Sequence, residues 1–169
     1  MEYFDCWYRL DDNDRHLIWY SSDEDGVVVT PAPKKVLTFA TSEDLLSYAR
    51  TKGIEIKKEM PILHRLDVVV EWLTSTIDLA IPSDDFLNAW NLVGDVARSI
   101  DRKDTFVELE SGAANVYDKL FWGAKPPSVT PANGTYIPQF SCDESRQMRA
   151  LFSWGVGVFR EHVVLVQAN

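Results

Sequence analysis

Two clusters of carboxylates near the N-terminus are the residues of this sequence most suited to chemistry. Their members are Asp11, Asp12 and Asp14 in the first cluster, and Asp23, Glu24 and Asp25 in the second. An apolar run at residues 16–20 separates them. Grouped carboxylates can ligate a divalent cation, act as a general acid and base, or present a negative surface to a cationic partner.

A calcium loop is the sharpest metal-binding interpretation of the second cluster. Ser21, Asp23, Asp25 and Gly26 fall near the early ligand positions and the glycine of an EF-hand loop. The pattern fails further on, because Ala32 stands where the loop requires a bidentate glutamate. Both flanks have the pattern of strands rather than helices. The sequence therefore predicts no metal site here.

Catalytic motifs are equally incomplete. Acid–base catalysis by paired carboxylates requires partial burial to separate their pKa values, whereas these acids lie in turn-like contexts that favour solvent. Neither the three histidines nor the two cysteines have zinc-ligand spacing. Ser153 lacks the first glycine of a nucleophile elbow. We expect no catalytic residue and no cofactor; the alternative is a small metal-dependent hydrolase that uses the loop carboxylates.

Negative charge is concentrated in the same N-terminal region. The 169-residue chain has a net charge of −9, and residues 1–33 hold eight acids against two bases, a net charge of −6. A field of this sign repels the phosphates of nucleic acids and anionic membranes, and it accelerates encounter with a cationic protein. We expect a basic protein partner and no nucleic-acid or membrane partner.

Length and composition predict one domain spanning residues 1–169. A hydrophobic content of 46% suffices for a continuous core. The first ten residues lack the basic and apolar regions of a secretory signal, and the longest aliphatic runs, such as residues 68–70, are too short to cross a bilayer. We expect a cytoplasmic protein.

The elements that must position the acids begin with β-strands. Aromatic and branched residues at 2–10 and 15–20 flank a link rich in Asp and Asn, which predicts a hairpin. Branched runs at 27–30 and 36–39 extend it to an antiparallel meander of three to four strands. Successive turns of a meander fall at opposite ends of the sheet, so the two acidic clusters need not share a surface.

Helical spacing characterises the remainder of the chain. Capping residues and apolar stripes predict helices that begin near Thr41, Asp67, Ser83, Ala113 and Ser141. Gly155 and Gly157 in the last of these predict close backbone packing or a break. Residues 124–140, with four prolines, predict an irregular packed connection. Strands followed by helices predict an α+β domain with about five helices packed on one face of the sheet.

Two further features are candidates for partner binding. Trp19 lies in a predicted strand, and an exposed tryptophan ringed by charge has the composition of a binding hot spot. A second acidic segment, at residues 101–110, falls between two predicted helices. Its carboxylates are Asp101, Asp104, Glu108 and Glu110. A solvated loop is the alternative interpretation of this segment.

The segment FLNAWNLVGDVARSI (Phe86–Ile100), followed by VYDKLFWGAKPPSVTP (Val116–Pro131), resembles a group of small acidic bacterial proteins. These are immunity partners of polymorphic toxins, including toxins of contact-dependent growth inhibition. The similarity covers roughly residues 36–160 as an ordered series of segments. It implies a stoichiometric inhibitor that binds the toxin domain of its own system 1:1 in the cytoplasm and performs no catalysis.

This resemblance gives the acidic residues a specific role. Nuclease toxins need cationic clefts to bind phosphates, so an acidic protein can occupy such a cleft and gain specificity from the placement of its charges. The two N-terminal clusters are then phosphate-mimicking contacts for a basic toxin, Trp19 is an aromatic anchor, and the acids of residues 101–110 form a second contact surface.

Overall fold

The computed structural model describes residues 1–77, 79–124 and 136–166. Within these ranges the chain forms a six-stranded mixed sheet and six helices, with strands first along the chain. The α+β class predicted from the sequence is confirmed. Most of the predicted irregular connection, residues 125–135, lies outside the described residues.

The sheet is built around the N-terminal hairpin. The strands are β1 (Glu2–Leu10), β2 (Asn13–Ser21), β3 (Gly26–Val27), β4 (Val36–Phe39), β5 (Leu63–Arg65) and β6 (Val163–Leu165). Both β3 and β4 pair antiparallel with β2, at its Trp19–Tyr20 and His16–Leu17 portions respectively. The strand order is β5-β1-β2-β4-β6, with β3 also beside β2. The antiparallel order β1-β2-β3 that the sequence predicts is confirmed, but β4 pairs with β2 instead of continuing the predicted meander beside β3.

The sheet is wider than the predicted meander, because two strands from later in the chain join its edges. β5 pairs in parallel with β1, and β6 pairs in parallel with β4. Each is three residues long, which is too short for an alternating pattern to be recognised in the sequence. The purely antiparallel sheet expected from the sequence is therefore corrected to a mixed one.

The helices are α1 (Ser42–Thr51), α2 (Leu66–Thr74), α3 (Ser83–Ser99), α4 (Lys103–Ser111), α5 (Ala114–Ala124) and α6 (Cys142–His162). Two of the predicted caps are present: the Thr41 hydroxyl accepts from the Asp44 N–H, and Ser141 forms a capping box with Glu144. α4 was not predicted. In the described ranges, no helix combines the length and the apolar content needed to cross a membrane.

The sheet separates two hydrophobic cores. Leu17 belongs to the larger core, which collects buried residues of α2 through α6, and the adjacent Ile18 belongs to a smaller core with Leu45 and Ala49 of α1. Neighbouring residues of β2 face opposite sides because side chains alternate along a strand. Five helices, α2 to α6, thus cover one face, and α1 covers the other. The expectation that all helices pack on one face is therefore wrong for α1.

Close packing of α3 against α6 explains one of the two unusual glycines. A Cβ on Gly155 would lie 2.7 Å from Cγ1 of Val93, so any larger residue would push the two helices apart. α6 continues without interruption to His162. Of the two alternatives that the sequence left open, close packing is the correct one at this position.

Asp67 ties α2 to the turn between β1 and β2. Its carboxylate oxygens accept from the backbone N–H groups of Asp11 at 2.6 Å and of Asp12 at 3.2 Å. Both turn residues have positive φ, at 54° and 57°, so their donors point away from the hairpin ladder. The sequence predicted Asp67 as a helix cap, but Arg65 holds that position and makes no side-chain cap bond.

Replacing Asp67 by alanine is expected to lower the free energy of unfolding by about 1–2 kcal/mol, because two backbone donors lose a charged acceptor. Urea titration measures the loss. Asp67→Asn, which keeps one acceptor oxygen, should lose less, and Glu55→Ala at an exposed position should change little. Wild-type stability in Asp67→Ala would show that water replaces the carboxylate without cost.

Candidate protein-binding site

Two acidic segments that are distant in the sequence lie together in the structure. The link between β2 and β3, which carries Asp23, Glu24 and Asp25, is held against α3 and α4. Glu24 forms an ion pair with Lys103 at the start of α4. The guanidinium of Arg98 on α3 donates to the backbone carbonyl of Asp25 at 3.2 Å. The second predicted cluster and the segment 101–110 are therefore neighbours.

Between these elements lies a groove of about 360 Å³, named here the acidic groove. Three carboxylates, three aromatic rings and one guanidinium are among the groups that line it. The carboxylates are those of Asp25, Asp95 and Glu110, the rings are those of Trp19, Trp90 and Phe106, and the guanidinium is that of Arg98. The groove combines negative charge with aromatic surface, and it draws its acids from a loop and two different helices.

Trp19 is held in one orientation at the groove. Its indole N–H donates to Oδ2 of Asp95 at 2.7 Å, and its ring packs against Phe4 with the centroids 5.3 Å apart. The side chain is half-buried, so part of the ring remains available to a partner. A preorganised aromatic side chain loses little conformational entropy on binding, which suits an anchor residue.

Asp95 is the most buried acid of the groove, with 8% of its surface exposed. Burial raises the pKa of its carboxyl group, against the opposing influence of the hydrogen bond from Trp19 and the charge of Arg98. Arg98 also donates to Oδ1 of this carboxylate. Asp95 was not among the site residues predicted from the sequence. Its helical spacing with the polar residues Asn88, Asn91 and Arg98 was the available signal.

The other two carboxylates of the groove are fixed by neutral donors. Oε1 of Glu110 accepts from the indole N–H of Trp90 at 3.1 Å. Oδ1 of Asp25 accepts from the Ser21 hydroxyl at 3.0 Å and from the Ser22 N–H at 3.2 Å. These bonds orient both carboxylates without neutralising them, so their negative charge remains available to a cationic partner.

The remaining acids of these segments are exposed around the groove elements. Asp101, in the link between α3 and α4, forms an ion pair with Lys34 at 2.7 Å. Asp23, Asp104 and Glu108 make no side-chain hydrogen bond or ion pair within the described part of the chain. They add to the negative field around the groove.

The first predicted cluster lies elsewhere. It is at the opposite end of the β1–β2 hairpin, as the alternation of turns required. Asp11 forms a two-bond ion pair with Arg160, at 3.0 and 2.6 Å, and Asp14 forms one with Arg9, at 2.8 Å for both bonds. These hydrogen bonds hold the pKa of each carboxyl group below its ordinary value. Asp12 is exposed beside them.

A part-buried pair of residues, Asp5 and His16, lies apart from both clusters. Oδ1 of Asp5 is 2.7 Å from Nδ1 of His16, whose ring stacks on Trp7. Such a pair orients an imidazole, but the described residues place no nucleophilic side chain in hydrogen-bond contact with it. Within the same residues, no group of three His, Cys, Asp or Glu side chains is arranged to hold a metal ion. The acidic groove is the better candidate site.

Comparison with known proteins adds no assignment. No protein-family model matches the chain, and searches of curated proteins and of solved structures give no significant match. Any functional conclusion therefore depends on the residues and on their arrangement.

Proposed function

We propose that this protein is an immunity-type inhibitor that binds a basic toxin domain, of the nuclease kind, in a 1:1 complex in the cytoplasm. The observation that carries this proposal is the acidic groove. It brings together Asp25, Asp95 and Glu110 around the oriented ring of Trp19. The sequence resemblance to immunity proteins of polymorphic toxins supports the same function.

The groove has the properties that a nuclease inhibitor requires. A nuclease binds phosphates through lysine and arginine side chains, and oriented carboxylates can occupy those positions. Complementary charge steers the encounter, while the aromatic anchor supplies affinity from a desolvated contact. With a net charge of −9, the whole chain reinforces the steering.

We expect the gene beside that of this protein to encode the toxin, and the test uses the toxin domain of that product. Mixing the two should give a 1:1 complex by light scattering, and co-expression should protect cells from the toxin. The association rate constant should fall by about tenfold or more between low and high salt, because screening removes long-range attraction. Absence of a complex, or metal-dependent hydrolysis by the isolated chain, would contradict the proposal; the second result would favour the hydrolase alternative.

A further inference from the structure

A second cleft adjoins the acidic groove. Its volume is about 490 Å³, and it shares Trp19, Asn91 and Asp95 with the groove. The two depressions are therefore neighbours along α3. A volume of this size falls within the range of small-ligand pockets, roughly 300–1,000 Å³. It exceeds what one small ion needs and suits a long side chain.

The cleft forms where two paired segments of unequal length lie between two strand contacts. Tyr3 of β1 bridges to Ile56, and Trp7 pairs with Leu63 of β5. Between these contacts, residues 57–62 run beside the shorter stretch 4–6, so the longer segment must bulge out of the sheet. The bulge supplies one wall of the cleft, and it leaves Met60 and Ile62 exposed at 91% and 73%.

Both apolar and polar side chains line the cleft. Phe4, Trp19 and Leu92 contribute apolar surface, and α3 contributes the amides of Asn88 and Asn91. Aromatic rings and amide oxygens together favour a ligand that has a flat apolar face and several hydrogen-bond donors.

The charge of the cleft favours a cation. Three acids, Asp5, Glu59 and Asp95, line it against one base, Lys57, whose ammonium is paired with Glu2. His64 also lines the cleft, and burial lowers the pKa of its imidazole, which favours the neutral form. Acids therefore outnumber bases among the residues that line the cleft, which favours a cationic ligand over an anionic one.

From this geometry we propose that the cleft receives an arginine side chain of the basic partner, an inference that rests on the proposed function. The methylene stem would lie against Met60 and Ile62. The guanidinium would stack on the ring of Trp19 and donate to the acceptors of α3. Arginine suits the cleft better than lysine because its planar, weakly hydrated cation stacks on aromatic rings and presents five donors.

The experiment titrates the isolated protein with N-acetyl-arginine amide and follows amide and indole N–H resonances by NMR. The indole resonance of Trp19 should shift saturably, with a dissociation constant on the order of millimolar. N-acetyl-lysine amide should bind about fivefold more weakly or worse, and the neutral citrulline analogue should bind weakest, because both lose part of the stacking or the charge.

Matched variants separate the cleft from general charge attraction. The double variant Met60→Ser, Ile62→Ser should weaken arginine binding severalfold, whereas Leu46→Ser, at a 40% exposed position on α1, should leave it unchanged. Both change exposed side chains, so their folds should be intact by the same spectra. An unsaturable shift at Trp19, equal affinity for lysine, or insensitivity to the double variant would each overturn the proposal.

These outcomes are distinguishable from failure of the proposed function. If the toxin forms a salt-sensitive complex while the arginine probe does not bind, the inhibitor function holds and the cleft assignment is wrong. If the probe binds at Trp19 and no toxin complex forms, the cleft recognises arginine in a different partner.

Discussion

Reversing two charges of the acidic groove, with Asp25→Lys and Glu110→Lys together, is expected to reduce the association rate constant with the toxin domain by about 100-fold at low salt. Both side chains line the groove, and each is oriented by neutral donors that leave its charge uncompensated. The double change replaces attraction by repulsion at the centre of the contact. Stopped-flow mixing, monitored by tryptophan fluorescence, measures the rate.

A charge-matched control isolates the groove from the overall field. Glu43→Lys with Glu55→Lys makes the same change in net charge at two exposed positions outside the groove. It should slow association much less, because screening weakens distant charges. The neutralising pair Asp25→Asn, Glu110→Gln keeps acceptors for the local donors and should have an intermediate effect. Equal slowing by both lysine pairs would show that only net charge matters, which would contradict the site.

The N-terminal hairpin and two helix starts were predictable because their signals are local. The link between β1 and β2 is rich in turn-forming residues, and Thr41 and Ser141 each bond to a backbone N–H three residues on. α4 lacked such a signal: its N-cap, Arg102, makes no side-chain bond, and Phe106 is its one buried residue. Tertiary packing of Phe106 against α3 and α6 stabilises this helix more than its sequence does.

The candidate site was predictable in its parts but not in its assembly. The sequence indicated Trp19 and both acidic segments, yet the contact that joins them, Glu24 to Lys103, spans 79 positions. No short-range pattern reports such a contact. Asp95 appeared only as one polar residue on α3, since its burial depends on the loop and strands that cover it. The neighbouring cleft depends on unequal segment lengths between two strand contacts, which one sequence does not reveal.

Replacing Asp95 by alanine is expected to lower the free energy of unfolding by about 2–4 kcal/mol, because it removes one member of a largely buried charged pair. Arg98 would lose its carboxylate, and the indole N–H of Trp19 would lose its acceptor. Since Trp19 would no longer be oriented, toxin affinity should fall as well. Urea titration measures the stability, and the Trp19 indole resonance reports the lost hydrogen bond.

Asp95→Asn provides the control. The pH dependence of stability shows whether the cost of burying the ionised carboxylate outweighs the stabilisation that it receives from Arg98 and Trp19. The pKa of Asp95 is raised above its ordinary value of 3.8, so the folded protein binds this proton more tightly than the unfolded chain does. The contribution of this group to stability therefore increases as pH falls through the raised pKa. Because asparagine does not titrate, the free energy of unfolding of the wild type should rise relative to that of Asp95→Asn as the pH is lowered from about 7 to about 4. Movement in the opposite direction would mean that Arg98 and Trp19 stabilise the ionised carboxylate by more than burial costs.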